Sequence, residues 1–194
     1  VDCDWSSDVC SSDLAGLPVQ RDAHSPGLAL RLAGGGLLRP TDGRPAAQVA
    51  FEAGARDVAV FDWNVTDAVQ PGMPLAFAVA AGAAPGLAAQ VAGVLAAAGA
   101  HPLQVADAAG LVVARTVAML VNEAADAVQQ GVCSPEGADA AMKLGVNYPA
   151  GPFDWLQRLG PRPVVELLDH LAEHYRGERY RVSPWLRQRL WGSA

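Results

Sequence analysis

The chain has 194 residues, 51% of them hydrophobic and 18% charged, with a formal net charge of −6. This balance excludes intrinsic disorder for the bulk of the chain and fits one ordinary domain or two small ones around apolar cores. It also argues against a general nucleic-acid binder, which needs a basic footprint to displace phosphate counterions.

The first fourteen residues, Val1 to Leu14, nearly repeat Ser6-Ser7-Asp8-Val9-Cys10 as Ser11-Ser12-Asp13-Leu14 and show neither strand nor helix periodicity. The stretch resembles a translated sequencing adapter, so it is expected to be a disordered, non-native tail and is set aside. Cys3 and Cys10 have no His or Cys partner at ligand spacing, which weighs against a metal or disulfide role. Without the tail the net charge is −2 and Cys133 is the single cysteine, as suits a reducing, cytoplasmic compartment. His24 follows in the leader before the first strand.

Residues 15–106 alternate strand-like and helix-like pieces. Leu28–Leu32, the turn Ala33-Gly34-Gly35-Gly36 and Leu37–Pro40 predict a hairpin or a strand with a glycine turn. Pro45–Ala53 predicts a short helix ended by Gly54. Buried-strand runs follow at Asp57–Trp63 and Leu75–Ala80, then a helix at Gly86–Ala98 and a last strand at Leu103–Ala106. This rotation predicts a small α/β module with a mostly parallel sheet. No Asp, Glu, Lys or Arg lies between Asp67 and Asp107, but Pro71, Pro74, Gly82, Pro85 and Gly86 interrupt it, so no membrane span is expected. A secretory signal is not expected either, because no basic segment precedes an apolar one.

A dinucleotide site requires a glycine-rich turn between strand and helix. Gly34–Gly36 runs instead into Leu37-Leu38-Arg39-Pro40, with no third glycine in register, so a plain turn is the simpler reading. Asp62 at a strand end suits a ribose carboxylate, but without the glycine motif a solvated strand end is the expectation.

From Asp107 the pattern becomes helical. Val113, Val117, Leu120, Val121, Ala124, Ala125 and Val128 form an apolar stripe, with Arg115, Asn122, Asp126 and Gln129 opposite, predicting one long helix over 110–131. Ser134-Pro135-Glu136 reads as a cap, a first-turn proline and an early carboxylate, opening a helix that closes at Lys143-Leu144-Gly145. Gly151-Pro152 opens a third helix, stopped by Gly160-Pro161, and Val164, Val165, Leu167, Leu168 and Leu171 stripe a fourth. The fold class expected is α/β followed by an all-α helical bundle.

The most specific stretch runs Ala141-Met142-Lys143-Leu144-Gly145-Val146-Asn147-Tyr148-Pro149-Ala150-Gly151-Pro152-Phe153: a helix end, an X-Pro turn and a new helix start. Together with Gly110-Leu111-Val112-Val113-Ala114-Arg115 and Asn122-Glu123-Ala124, it resembles the C-terminal helical domain of 3-hydroxyacyl-CoA dehydrogenases over about residues 107–190. Residues 28–106 resemble the reduced Rossmann-like module that precedes a second copy of this domain in two-copy members. The resemblance implies three segments: the tail 1–14, the module 15–106 and the helical domain 107–194. It implies the C-terminal portion of an NAD-dependent enzyme that oxidises 3-hydroxyacyl-CoA to 3-oxoacyl-CoA in fatty acid or phenylacetate-type breakdown. This portion would form a homodimer contact and one wall of the acyl-CoA cleft, with no nucleic-acid or membrane partner.

Departures from the family set further expectations. The Asn of the family's opening motif is Ala114 here, and the family's Glu-held His base lies on a full Rossmann domain outside this chain. No catalytic residue, NAD-binding residue or metal ligand is therefore expected in this portion; the parent would hold NAD. His170 and His174 stand one turn apart and can share a metal only with a third ligand, surface imidazoles being the simpler reading. His101 begins a strand. Cys133, before a helix N-terminus, could have a lowered thiol pKa, but a small residue in a turn is the default, and Ser134 is more simply a cap than a nucleophile. Residues 158–194 carry a net charge of +3, through Arg158, Arg162, Arg176, Arg179, Arg181, Arg187 and Arg189; they offer an acyl-CoA phosphate a field or form a solvated face. The rival function, of a different class, is a non-catalytic dimerisation or scaffold module.

Overall fold

The computed structural model describes residues 19–21, 29–66 and 71–192. The tail Val1–Leu14, with Cys3 and Cys10, lies outside these residues, as do His24 and Leu28. The chain divides into two compact units, the first reaching to Val113 and the second starting at Ala114.

The first unit is built on a six-stranded sheet in sequential order: β1 (Val19–Arg21), β2 (Leu30–Leu32), β3 (Leu37–Pro40), β4 (Val58–Phe61), β5 (Met73–Val79) and β6 (Ala100–Gln104). Helix α1 (Ala46–Glu52) connects β3 to β4 and α2 (Leu87–Ala97) connects β5 to β6. Those two pairs are parallel, because a crossover helix carries the chain back to the starting edge. The pairs β1–β2, β2–β3 and β4–β5 are antiparallel, so the sheet is mixed and not mostly parallel as expected. Only eleven residues link β4 to β5, and those described carry no helix, so the chain folds straight back.

Alternation along each strand divides the core between two faces. Leu38, Ala59, Phe61, Leu75 and Phe77 pack with Leu87, Val91, Val94 and Leu95 of α2. Leu37, Val58, Val60 and Ala78 pack with Ala46, Val49 and Ala50 of α1. All four residues of β4 are buried, which explains its uninterrupted apolar run. The last strand starts three residues before the expected Leu103, since its register is set by β5, Met73 pairing with Ala100 and Phe77 with Gln104. Pro102 is tolerated because β6 is an edge strand.

The second unit contains most of α3 (Val113–Gln129), then α4 (Pro135–Gly145), α5 (Pro152–Leu159), α6 (Pro161–Tyr175), a 3-10 turn at Glu178–Tyr180 and α7 (Pro184–Gly192). Four of these helices open on proline, whose fixed φ suits a first turn and whose missing N–H would have had no helical partner. Val164, Val165, Leu167, Leu168 and Leu171 of α6 are all buried, as their stripe predicts. Helix α7 was not anticipated, although Ser183-Pro184 repeats the Ser134-Pro135 start signal.

The stripe on α3 is rotated from its expected position. Ala114, Val117, Ala118, Val121, Asn122 and Ala125 are buried, whereas Val113, Leu120, Ala124 and Val128 are only partly covered. Asn122, assigned to the polar side, lies inside at 2% exposure.

Candidate functional site

Gly34–Gly36 forms the β2–β3 hairpin turn, at the edge where β3 begins. Nucleotides bind beyond the carboxyl ends of such strands, where a strand leads into its helix. That position belongs to Thr41-Asp42-Gly43-Arg44-Pro45, between β3 and α1. It has a single glycine, and its polar groups are occupied internally. The Gly43 N–H donates to Thr41 Oγ1 at 3.2 Å and the Arg44 N–H to Asp42 Oδ1 at 3.1 Å. The first N–H groups of α1, on Ala46 and Ala47, donate to the two oxygens of Asp107 at 2.7 and 2.9 Å. Arg39 and Arg44 pair with Asp42, and Arg44 also with Glu52. Burial pushes the Asp42 carboxyl up, but the Arg44 hydrogen bond and the charges of Arg39 and Arg44 bring it below the usual carboxylate range. A dinucleotide's pyrophosphate does not fit this turn.

Asp62 is a correction. The sequence suggests a solvated strand end, but Asp62 is 1% exposed. Its carboxylate accepts from the N–H groups of Val112 at 2.9 Å, Val113 at 2.7 Å and Trp63 at 2.9 Å. Three amide donors supply what water would have supplied, which allows a charged group to be buried. Before these residues Gly110 and Leu111 both have left-handed backbone, φ +74° and +47°, and the Leu111 side chain enters the core on the α1 face of the sheet. The Gly-Leu-Val-Val motif is thus a reversal pinned by a buried carboxylate. Ala114 follows it at 0% exposure, with a methyl group where the family resemblance calls for an amide.

In the second unit Asn122 bridges a distant segment. Its Nδ2 donates to the Arg181 carbonyl at 2.9 Å, and its Oδ1 accepts from the Ser183 N–H at 2.8 Å. This exchange buries the side chain and fixes the residues that lead into α7. Asp126, one turn along α3, pairs with Arg181 at 2.6 Å.

The Met142–Phe153 motif forms a corner between α4 and α5. Gly151 caps α5 and has no side chain to satisfy the first N–H groups. Asp139 of α4 takes that role: its oxygens accept from Phe153 N at 2.8 Å and Asp154 N at 3.2 Å. A Cβ on Gly151 would lie 2.3 Å from the Asp139 carboxylate, so the glycine is required by the close approach. Asp154 accepts in turn from Gly151 N and Lys143 Nζ, both at 2.9 Å. Burial raises the Asp139 pKa, whereas the Gly151 amide and Lys143 lower that of Asp154. Asn147 supplies a left-handed residue at φ +56°, and Tyr148 and Phe153 pack on Trp155 and Trp185. An open groove of about 420 Å³ lies beside the corner, lined by Pro149, Ala150, Asp154, Gln157 and Arg158.

The remaining sequence candidates are not brought together. Ser134 caps α4 by accepting from the Gly137 N–H at 3.1 Å, and Cys133 is a free, half-buried thiol beside it. His101 is on β6, and His170 and His174 are on α6; among the described residues no three His, Cys, Asp or Glu side chains assemble as a metal set. Most of the C-terminal arginines are engaged locally. Arg187 pairs with Asp169, Arg162 lies near Glu166, and Arg179 and Arg189 cover the rings of Tyr180 and Trp185. Among the described residues no helix is long and apolar enough to cross a membrane.

Comparison with known proteins finds two family models along the chain. Residues 38–108 match the 3-hydroxybutyryl-CoA dehydrogenase reduced Rossmann-fold domain, and residues 110–191 match the 3-hydroxyacyl-CoA dehydrogenase C-terminal domain. The 3-hydroxyadipyl-CoA dehydrogenase of Escherichia coli is 53% identical over 87 residues, which are 45% of this chain and 18% of that protein. A probable 3-hydroxybutyryl-CoA dehydrogenase of Deinococcus radiodurans is 36% identical over 82 residues, 42% of this chain and 30% of that one. A crystal structure of 3-hydroxybutyryl-CoA dehydrogenase from Escherichia coli aligns with the whole chain at TM-score 0.79 and 34% identity, covering 38% of its own length. The chain therefore spans well under half the length of these relatives. With both domains in the same order and the whole fold shared, the chain belongs to the 3-hydroxyacyl-CoA dehydrogenase family, as a reduced Rossmann-like module followed by the C-terminal helical domain.

Proposed function

We propose that the chain is the C-terminal portion of a two-copy, NAD-dependent 3-hydroxyacyl-CoA dehydrogenase. The parent oxidises the 3-hydroxyl of an acyl-CoA to a ketone and passes hydride to the nicotinamide. This portion shapes the acyl-CoA cleft and carries a homodimer contact, while base and cofactor belong to the N-terminal part. The observation that carries this reading is Ala114: the family's opening motif is kept on both sides, yet the position holds a fully buried methyl group unable to orient a hydroxyl or thioester. The 53% identity to an enzyme named for 3-hydroxyadipyl-CoA supports a dicarboxylic acyl-CoA as substrate class. We place the parent in the cytoplasm and the functional boundary near residue 107.

The dimer contact is placed at the C-terminal end of α4, where Leu144 and Val146 are 87% and 54% exposed. The central residues of the α3 stripe, Val117 and Val121, are covered within the chain, so the contact is not placed there.

The purified chain is expected to show no oxidation of NADH with acetoacetyl-CoA at 340 nm, since hydride transfer needs a bound nicotinamide and a positioned base. Measurable turnover overturns the division of labour. In sedimentation equilibrium at micromolar concentration a dimer is expected, and Leu144→Glu shifts it to monomer; a monomeric wild-type chain removes the dimer role.

A further inference from the structure

We infer that the carboxylate of Asp107 has taken the place and the charge of a dinucleotide phosphate at the βα turn of the first unit, so that the chain closes this module itself. The proposal rests on the family reading only for its comparison with a nucleotide fold; the geometry stands alone. In a βαβ unit the backbone N–H groups at the start of the helix after the first strand point beyond the sheet, where an anion is favoured. Here β3, α1 and β4 form that unit, with β3 and β4 parallel.

The two N–H groups that open α1 are held by one carboxylate, an oxygen on each, at 2.7 and 2.9 Å. The acceptor lies 61 residues away in sequence, just past the end of β6, so its arrival depends on the complete sheet. In the turn itself the Gly43 and Arg44 N–H groups are taken by Thr41 and Asp42. The cations that could draw a phosphate, Arg39 and Arg44, are matched to Asp42 and Glu52. An incoming pyrophosphate would find four donors engaged and two carboxylates, Asp42 and Asp107, opposing its charge. In this arrangement the module needs no cofactor to complete its fold.

The test uses the 194-residue chain, with NAD+ and Asp107 varied independently. A ligand at a hundred times its Kd stabilises a folded protein markedly, so an occupied site would raise Tm by several degrees. Millimolar NAD+ is expected to leave the wild-type Tm unchanged. Asp107→Ala is expected to lower Tm by roughly 5 °C and to speed amide hydrogen exchange at Ala46 and Ala47 by more than about tenfold, with Val121 in the second unit unaffected. Asp107→Asn, which offers one acceptor oxygen for two donors, falls between and keeps the test valid should the alanine variant not fold. A rise of wild-type Tm with NAD+, or wild-type exchange at Ala46 and Ala47 in Asp107→Asn, overturns the inference. Loss of dehydrogenase activity in the parent would bear on the functional reading alone, because none of these readouts uses turnover.

Discussion

The two units solve the same problem at different sequence distances. Each has a helix start whose free N–H groups are satisfied by a carboxylate from another segment: Asp107 for α1 and Asp139 for α5. In the α/β unit the carboxylate comes from 61 residues away, and Asp62 reaches 50 residues to Val112. In the helical unit it comes from 14 residues away, across one corner. The remote bond requires a finished sheet before it can form, whereas the corner needs only two neighbouring helices. The α4–α5 corner is accordingly written as a contiguous motif, and the βα turn has none.

The largest effect that separates these designs is expected at Gly151. Gly151→Ala puts a methyl group 2.3 Å from the Asp139 carboxylate. Driving that buried group from its two N–H partners costs about 2–4 kcal/mol in urea unfolding. Asp139→Ala alone costs about 1–2 kcal/mol, as for loss of a cap, and the double variant loses less than the sum, because both changes break one contact. Strict additivity would show that the corner is not held by Asp139.

Asn122→Ala comes next, at about 2–3 kcal/mol, because the Arg181 carbonyl and Ser183 N–H lose their shared partner. Increased protease cleavage between α6 and α7 checks that the loss is local. A variant as stable as wild type would mean that the bridge is not needed.

Ala114→Asn restores the family's amide at a position with 0% exposure. A cost of about 1–3 kcal/mol is expected from overpacking and a buried amide lacking partners, measured by thermal unfolding. A neutral substitution would show that the helix start retains space for the family's side chain.

The smallest effect is on pH dependence. Asp42 and Asp154 have pKa values lowered in the folded chain, so their contribution is present above the ordinary carboxylate value and lost as pH falls through the folded one. Asp139 is raised by burial, so the folded state binds its proton more readily and gains stability as pH falls through that raised value. The two directions partly cancel in the wild-type chain. Asp139→Asn removes the offsetting group, and its Tm should drop more steeply than wild type between pH 7 and about 3; a flatter profile contradicts the assignment.

Local signals in the sequence identify most elements here. Proline starts, the Ser134 cap, the glycine stops and the α6 stripe concern residues within one or two turns of each other, and each matches the structure. The same local physics makes the Tyr148–Phe153 motif recognisable, although not its reason, since the contact that requires Gly151 is with Asp139 on the preceding helix. Tertiary structure decided the rest. The direction of β4 against β5 and the position of the βα turn after β3 follow from which strand is parallel to which. Asp62 and Asn122 look like surface residues because a polar side chain is buried only where partners meet it, and theirs arrive from Val112–Val113 and Arg181–Ser183. Periodicity records which face of an element is apolar; it carries no record of the distant N–H groups that allow a charge or an amide inside.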